Sequence, residues 1–524
     1  MRALRCHFRR IRGDAMHQRT FAFLALLAVW ACIPGASPCL GDGDTRASAV
    51  APMLGRLTDK SVTASVVSPL DADFYLEYGD EPGVYPFSTI PRRCESGKPI
   101  EIQIVGLDPD KTYYYGVMYR PEGSAKPSRV AEGQFHTQRA RGSAFLFAIE
   151  ADVHLSAAVG EKGGARARQY QQTLTNVLAG RPDFLIDMGD FARIEVRGGQ
   201  TARSLREATD RYMFKRHSLS GISPSVPFYF VIGNHEAEQG WRAQGESDSL
   251  ATWATLARKS LIPNPYPDTF YSGNSDTTKC CGLREDYYAW EWGDALLVVL
   301  DPFWYTTARP HGVVGLSQPS LDGWDWTLGE AQYNWLYKTL HESTAKWKFV
   351  FAHHITGGIP GDKAGEGYYG RGGIDAARYS VARHPSFEWG GEDSSGNSVF
   401  AEKRPGWNHG PIHQMMVQEG VDVFFRGHDH VFVYETIDGI IYQSCPDPAD
   451  FRHAEGYYSR RYFSTGIKVN NPGHLLITVS SDSVRVDYVR SVLPEEEPLA
   501  EGDHHVRNSD ISYSYTLTKP SAAR

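Results

Sequence analysis

The chain is poor in cysteine, in basic charge and in long apolar runs, and each shortage removes a class of protein. Seven cysteines occur in 524 residues. None has finger-like spacing, so a thiolate-held structural metal is excluded. Cys6, Cys32 and Cys39 fall in the first 40 residues; Cys94, Cys280, Cys281 and Cys445 remain. Spacing fixes no disulfide pairing among them, and buried free thiols are an equally good reading. The formal charge is −8, and setting aside the first 40 residues, with six Arg and one Asp, leaves −13. General nucleic-acid binding needs a basic face and is excluded. No internal repeat is present.

The one long apolar run is Phe21–Ile33, 13 uncharged residues. It is too short to span a bilayer comfortably. Arg2, Arg5, Arg9, Arg10, Arg12 and Arg19 precede it, the layout of a secretory signal peptide. The mature protein is therefore expected to be secreted or periplasmic, with no transmembrane anchor. Met16 would begin a more compact signal. Val29-Trp30-Ala31-Cys32 is a poor lipoprotein box because Trp is bulky.

What the chain does have is 41% hydrophobic and 12% aromatic residues, the composition of a globular protein, and length enough for two or three domains. Five apolar runs each end in a polar cluster. Ala144–Ile149 leads to Asp152-Val153-His154. Phe184–Met188 leads to Gly189-Asp190, and Phe228–Ile232 to Gly233-Asn234-His235-Glu236. Phe349–Ala352 leads to His353-His354. Val421–Phe425 leads to Arg426-Gly427-His428-Asp429-His430. Short apolar runs bounded this way read as buried strands. Open α/β sheets place their sites at the carboxyl ends of strands. His428 and His430, two apart, would point the same way in extended chain. Asp, Asn and His together suit a metal held by oxygen and imidazole.

In the order D-x-H, G-D, G-N-H-E, H, G-H-x-H these blocks resemble the calcineurin-like metallophosphoesterases over roughly residues 142–490. With the export signal and the N-terminal region, the whole chain resembles the purple acid phosphatase branch. The implied fold is a four-layer α/β/β/α sandwich behind an all-β domain. The expected divisions are a signal region 1–40, a β-sandwich 50–137, the metallophosphoesterase domain 142–490 and a tail 491–524. Within 50–137, alternating runs such as Ala72–Tyr78 and Ile100–Val105 sit between Gly and Pro turns. Leu107–Tyr115 is similar to the tyrosine-corner strand of fibronectin type III domains, with Tyr113 bonding the preceding turn and Tyr115 and Val117 pointing inward. From Gly142 strand-like runs alternate with helical ones, such as 166–179 with Tyr170, Leu174, Val177 and Leu178 on one face.

The resemblance implies two divalent or mixed-valence transition metal ions, Zn, Mn or Fe. One would take Asp152, His154 and His430, the other Asn234, His353 and His428, with Asp190 bridging. His353 is preferred over His354 because it directly follows the strand. A metal-bound hydroxide would attack phosphorus, and His235 would protonate the leaving group as general acid. Two departures stand out. Where the purple acid branch has a ligand tyrosine, three residues after the bridging aspartate, this chain has Arg193. Its first block also carries the extra His154. Both put the ferric–tyrosinate centre, the colour and the acid optimum in doubt.

Three insertions, 237–288, 302–334 and 355–411, interrupt the core and are candidates for a lid. Arg193, His354, Arg404 and His409 are the candidates for substrate contact. The acidic stretch Leu493–His505 is expected to be mobile, and Ile511–Thr518 to return as an edge strand. The expected partner is a small-molecule phosphate ester, and no oligomeric state is indicated. A phosphatase acting on monoesters leads. A phosphodiesterase acting on nucleotides or glycerophosphodiesters follows closely. A cell-surface binding protein with a structural metal centre is the third reading, and the complete ligand set with His235 counts against it.

Overall fold

The computed structural model describes residues 51–155, 161–196, 201–243, 248–308, 322–357, 370–377, 386–393, 395–456 and 458–519. The signal-like segment lies outside the described residues. Residues 53–136 are all β. Met53–Gly55, Ser61–Val66 and Ile100–Val105 make one sheet. Ala72–Gly79, Phe87–Ser88, Arg92–Cys94, Thr112–Pro121 and Ser128–His136 make the other. In Ala72–Gly79 the residues Ala72, Phe74 and Leu76 point inward and their neighbours outward, the period-2 pattern of a half-buried strand. The expected tyrosine corner is present: the Asp108 amide donates to the Tyr113 hydroxyl at 3.0 Å. Tyr115 and Val117 are buried.

This sandwich is bolted to the α/β layers. The Tyr115 hydroxyl donates to the Pro224 carbonyl at 2.8 Å. Arg216, itself buried, donates to Ser65 Oγ at 2.7 Å and to the Leu261 carbonyl at 2.6 Å. The apolar core is continuous from Val62 and Tyr115 through Tyr271 and Trp290 to Phe147 and Phe349.

The α/β part consists of two sheets face to face. Five strands carry the polar clusters: β1 (Phe145–Glu150), β2 (Phe184–Asp187), β3 (Phe228–Phe230), β4 (Trp347–Ala352) and β5 (Val423–Arg426). In the first sheet β3, β2 and β1 run parallel, followed by Gly473–Val479, Ser483–Arg490 and Ile511–Thr518. In the second, β4 and β5 run parallel between Ala295–Val299 and Ile440–Ser444. Phe147, Ile149, Phe184, Phe349, Phe351 and Phe425 fill the space between the sheets. Helices cover the outer faces. On the first sheet lie α1 (Glu161–Gly180), α2 (Leu205–Ser218) and α3 (Leu250–Leu261), and on the second α4 (Glu330–Glu342). The result is the expected α/β/β/α stack. In α1, Tyr170, Leu174 and Val177 are buried as expected, but Leu178 is 39% exposed. The apolar stripe is one residue narrower than the sequence suggested.

Two further expectations change. Insertion 237–288 is mostly framework: it supplies α3, which packs on α2. Some of its charged residues are buried in an ion network in which Arg258 and Arg284 meet Glu238 and Arg284 meets Asp286 and Asp301. Part of its polarity is therefore internal pairing, while 268–279 keeps exposed polar residues. Leu493–His505 holds a turn and a hairpin, Leu499–Glu501 with His504–Val506, tied down by Arg490 on Glu501. Ile511–Thr518 is the edge strand expected of it. Cys94, Cys280, Cys281 and Cys445 are free thiols.

Candidate metal centre

Each ligand candidate sits just past the carboxyl end of its strand, on a tight turn. Asp152, His154, Asp190, His428 and His430 all have left-handed backbone, with φ of 59°, 47°, 56°, 71° and 55°. Asp and His tolerate this region better than most residues. Five such residues on three turns in one place are a strain that the surrounding structure must impose.

The turns converge. Ligand atoms of Asp152, His154, Asp190 and His430 lie within 4.8 Å of one another, as do those of Asp190, His353 and His428. Asp190 belongs to both groups. Asn234 Oδ1 is 3.0 Å from His353 Nε2. All seven residues expected from the sequence are therefore brought together.

The atoms fit a pair of cations. His353 Nδ1 lies 2.7 Å from the Met188 carbonyl, which only accepts, so Nδ1 carries the proton. The Nε2 lone pair is then left facing Asn234 Oδ1 and Asp190 Oδ2, the latter at 3.4 Å. Three acceptors that face one another call for a positive charge between them. Burial alone would lower the His353 pKa, but the Asp190 charge overrides it and lifts it to about 9: without metal, a proton takes that place. In the other group His154 Nε2 and His430 Nε2 are 3.1 Å apart with near-parallel rings. Asp152 Oδ1 is buried with no hydrogen-bond partner, 3.8 and 3.5 Å from those nitrogens. A cation would satisfy all three. Burial would raise Asp190, yet His353 and His235 hold it well below the usual carboxylate range.

Several supporting residues were not singled out from the sequence. Asp447 accepts from Arg166 at 3.0 Å and lies 3.5 Å from His430 Nδ1, which turns His430 Nε2 toward the centre. Burial would lower His430, and the Asp152 and Asp447 charges lift it. Such outer carboxylates orient ligating imidazoles. Asp447 follows a strand, Ile440–Ser444, just as the ligands do, so the same strand-end signal could have found it. Asp429 accepts from Arg426 at 2.7 Å and from Arg371 at 3.0 Å, and pins the third insertion to the G-H-D-H turn.

His235 stands at the rim, its side chain 27% exposed and Nε2 3.9 Å from Asp190 Oδ2. Its Nδ1 is 2.5 Å from the Glu195 carbonyl and so holds the proton there. Nε2 is the nitrogen left to exchange one. Burial lowers the His235 pKa to about 4, with Asp190 pulling the other way. Arg193 lies beside it, Nη1 donating to the His154 carbonyl at 3.3 Å while Nε is buried without a partner.

The other three candidates for substrate contact are placed in packing roles. His354 is fully buried, with Nδ1 on the Ile355 carbonyl and its ring against Phe303 and Trp326. Arg404 reaches the buried Glu388 at 2.8 Å and the Trp326 carbonyl at 3.2 Å. His409 stacks on Tyr337 at 3.4 Å, over α4. A long cationic or aromatic side chain in a glycine-rich stretch serves equally to hold that stretch to the body.

The calcineurin-like phosphoesterase family model matches residues 145–432, more than half of the chain. Among solved structures, PhoD is similar at 13% identity and TM-score 0.59, over 93% of this chain and 92% of that one. That likeness concerns the fold. GAP50 of Plasmodium is similar at 13% identity and TM-score 0.35, over 72% of this chain and 89% of that one. A phosphopantetheinyl hydrolase of Mycobacterium tuberculosis is similar at 14% identity and TM-score 0.28, over 69% and 100%. Both likenesses are remote. No curated protein matches the chain in sequence.

Proposed function

The chain belongs to the calcineurin-like phosphoesterase family, and on that premise we propose that it is an exported hydrolase of phosphate monoesters working at a binuclear metal centre. The observation that carries the reading is Asp190, which lies in both ligand groups. Asp152, His154 and His430 would hold one ion, Asn234, His353 and His428 the other, and Asp190 both. When bound, the ions would polarise the phosphoryl group and activate the attacking water.

The chain's own groups do the rest. His235 Nε2, its tautomer set by the Glu195 carbonyl, donates a proton to the departing alkoxide. With a pKa lowered to about 4 in the free chain, it takes up that proton most readily once an anionic substrate lies against it. Arg193 has no carboxylate pairing with it among the described residues, so its guanidinium is available to a phosphoryl oxygen. The fibronectin-like sandwich supports a purple-acid-phosphatase-like arrangement, and Arg193 in place of the ligand tyrosine sets the chain apart from that branch. Export is supported by the signal-like N-terminus, and no described helix is long and apolar enough to cross a membrane.

The test is hydrolysis by the metal-loaded protein of matched aryl and alkyl monoesters and diesters. Monoesters should be cleaved faster. Preference for diesters would move the function to a phosphodiesterase. Two bound ions with no hydrolysis of either would favour the binding-protein reading.

A further inference from the structure

Asp190 and Asn234 come from different strands, yet the proposed centre needs them at a fixed separation. The turns that carry them, after β2 and β3, meet back to back at two glycines. A Cβ on Gly189 would come within 2.5 Å of the Gly233 nitrogen, and one on Gly233 within 2.2 Å of the Asp190 nitrogen. No larger residue fits at either place.

Into this seam the buried Glu236 side chain inserts its carboxylate. Oε2 accepts from the Asp190 and Gly233 amides, each at 2.8 Å, and Oε1 from Phe191 at 2.8 Å and Ala192 at 2.9 Å. Four donors from two turns end on one side chain. Asp190 returns the contact: its Oδ1 accepts from the His235 amide at 2.7 Å. Each turn's carboxylate thus caps the other turn's amides. A carboxylate that spends both oxygens on four amides has none left for a metal, so Glu236 is not a ligand.

We propose that Glu236 is the positioning residue that locks the two turns in register, so that Asp190 reaches both ions and His235 faces the substrate. The inference rests on the binuclear reading above. Glu236→Gln keeps the size but turns an NH2 group toward two of the four amides. Glu236→Asp keeps the charge but is one methylene too short to reach both turns.

The experiment is calorimetric titration of the metal-stripped full-length protein with Zn2+, alongside the thermal shift that saturating Zn2+ produces. The wild type should bind two ions. Glu236→Gln should stay folded and bind the Asp190-dependent ions roughly 10–100-fold more weakly, the range seen when outer partners of ligands are lost, with a smaller metal-induced thermal shift. Glu236→Asp should fall between the two. Wild-type affinity for both ions in a folded Glu236→Gln would overturn the proposal, and so would failure of both variants to fold, which would make Glu236 a support of the whole fold. A wild type that binds fewer than two ions would instead defeat the binuclear reading on which the proposal rests.

Discussion

The two halves of the centre are built differently. On one side His353 and His428 are buried to 2% exposure or less, and His353 is oriented by a backbone carbonyl. On the other, the side chains of His154 and His430 are 12% and 26% exposed, and His430 is oriented by a carboxylate that an arginine holds in turn. A backbone carbonyl is fixed by the sheet, whereas a side-chain relay can be tuned. The closed half is suited to retaining an ion, and the open half, with His235 and Arg193 beside it, to meeting substrate. Among the described residues, Asp190 is the one charged ligand candidate that both halves share.

The strongest way to break this division is to remove what joins it. Asp190→Asn should weaken both sites, and elemental analysis of the purified variant should show fewer than two metals per chain, with activity lost. Two ions and full activity would end the bridging assignment.

Next in size is the proton donor on the open side. His235→Ala should slow alkyl phosphate hydrolysis by about 10²–10⁴-fold, the usual worth of general acid–base catalysis. The loss on nitrophenyl esters should be distinctly smaller, because that leaving group departs as an anion. Metal content should hold. Equal losses on both ester types would recast His235 as a substrate-positioning group.

A third change sharpens the asymmetry. Asp447→Asn should weaken the open-half ion by roughly 10–100-fold and leave the closed half intact, seen as two separated binding steps. A fourth separates site from scaffold. Arg404→Ala strips a buried Glu388 of its partner and should lower stability by about 3 kcal/mol, with the preference between substrates unchanged. A shifted preference would return the third insertion to the substrate wall.

Much of this centre was legible in the sequence, because each ligand follows an apolar strand and strand ends are where α/β sheets converge. The same logic reached the sandwich through Tyr113 and the edge strand through the alternation of Ile511–Thr518. It failed where a residue's partner is distant in sequence. Nothing near Arg404 announces Glu388, and nothing in the polarity of 237–288 announces that Arg258 and Arg284 are paired inside. Glu236 lay in plain view within Gly-Asn-His-Glu, but its four amides come from two turns that only the fold brings together.

The smallest effect compares the site histidines with one that has no carboxylate beside it. His474 is buried, and burial alone lowers its pKa to about 3. The folded chain keeps it neutral while the unfolded chain protonates it below its ordinary value of 6.5. Its contribution to stability is thus present above about pH 6.5 and is lost as pH falls toward 3. His474→Leu should reduce the loss of stability between pH 6.5 and 5 by about 2 kcal/mol, read from denaturant midpoints. An unchanged pH profile would mean that His474 finds a partner on protonation.

Two ions joined by Asp190 would be visible in anomalous diffraction from crystals of the full chain soaked with Zn2+ or Mn2+. Two peaks should appear on either side of the Asp190 carboxylate, about 3.5–4 Å apart as in other two-metal sites, one beside His154 and His430 and one beside His353 and His428. A single peak, or a pair that leaves Asp190 in contact with only one of them, would contradict this arrangement.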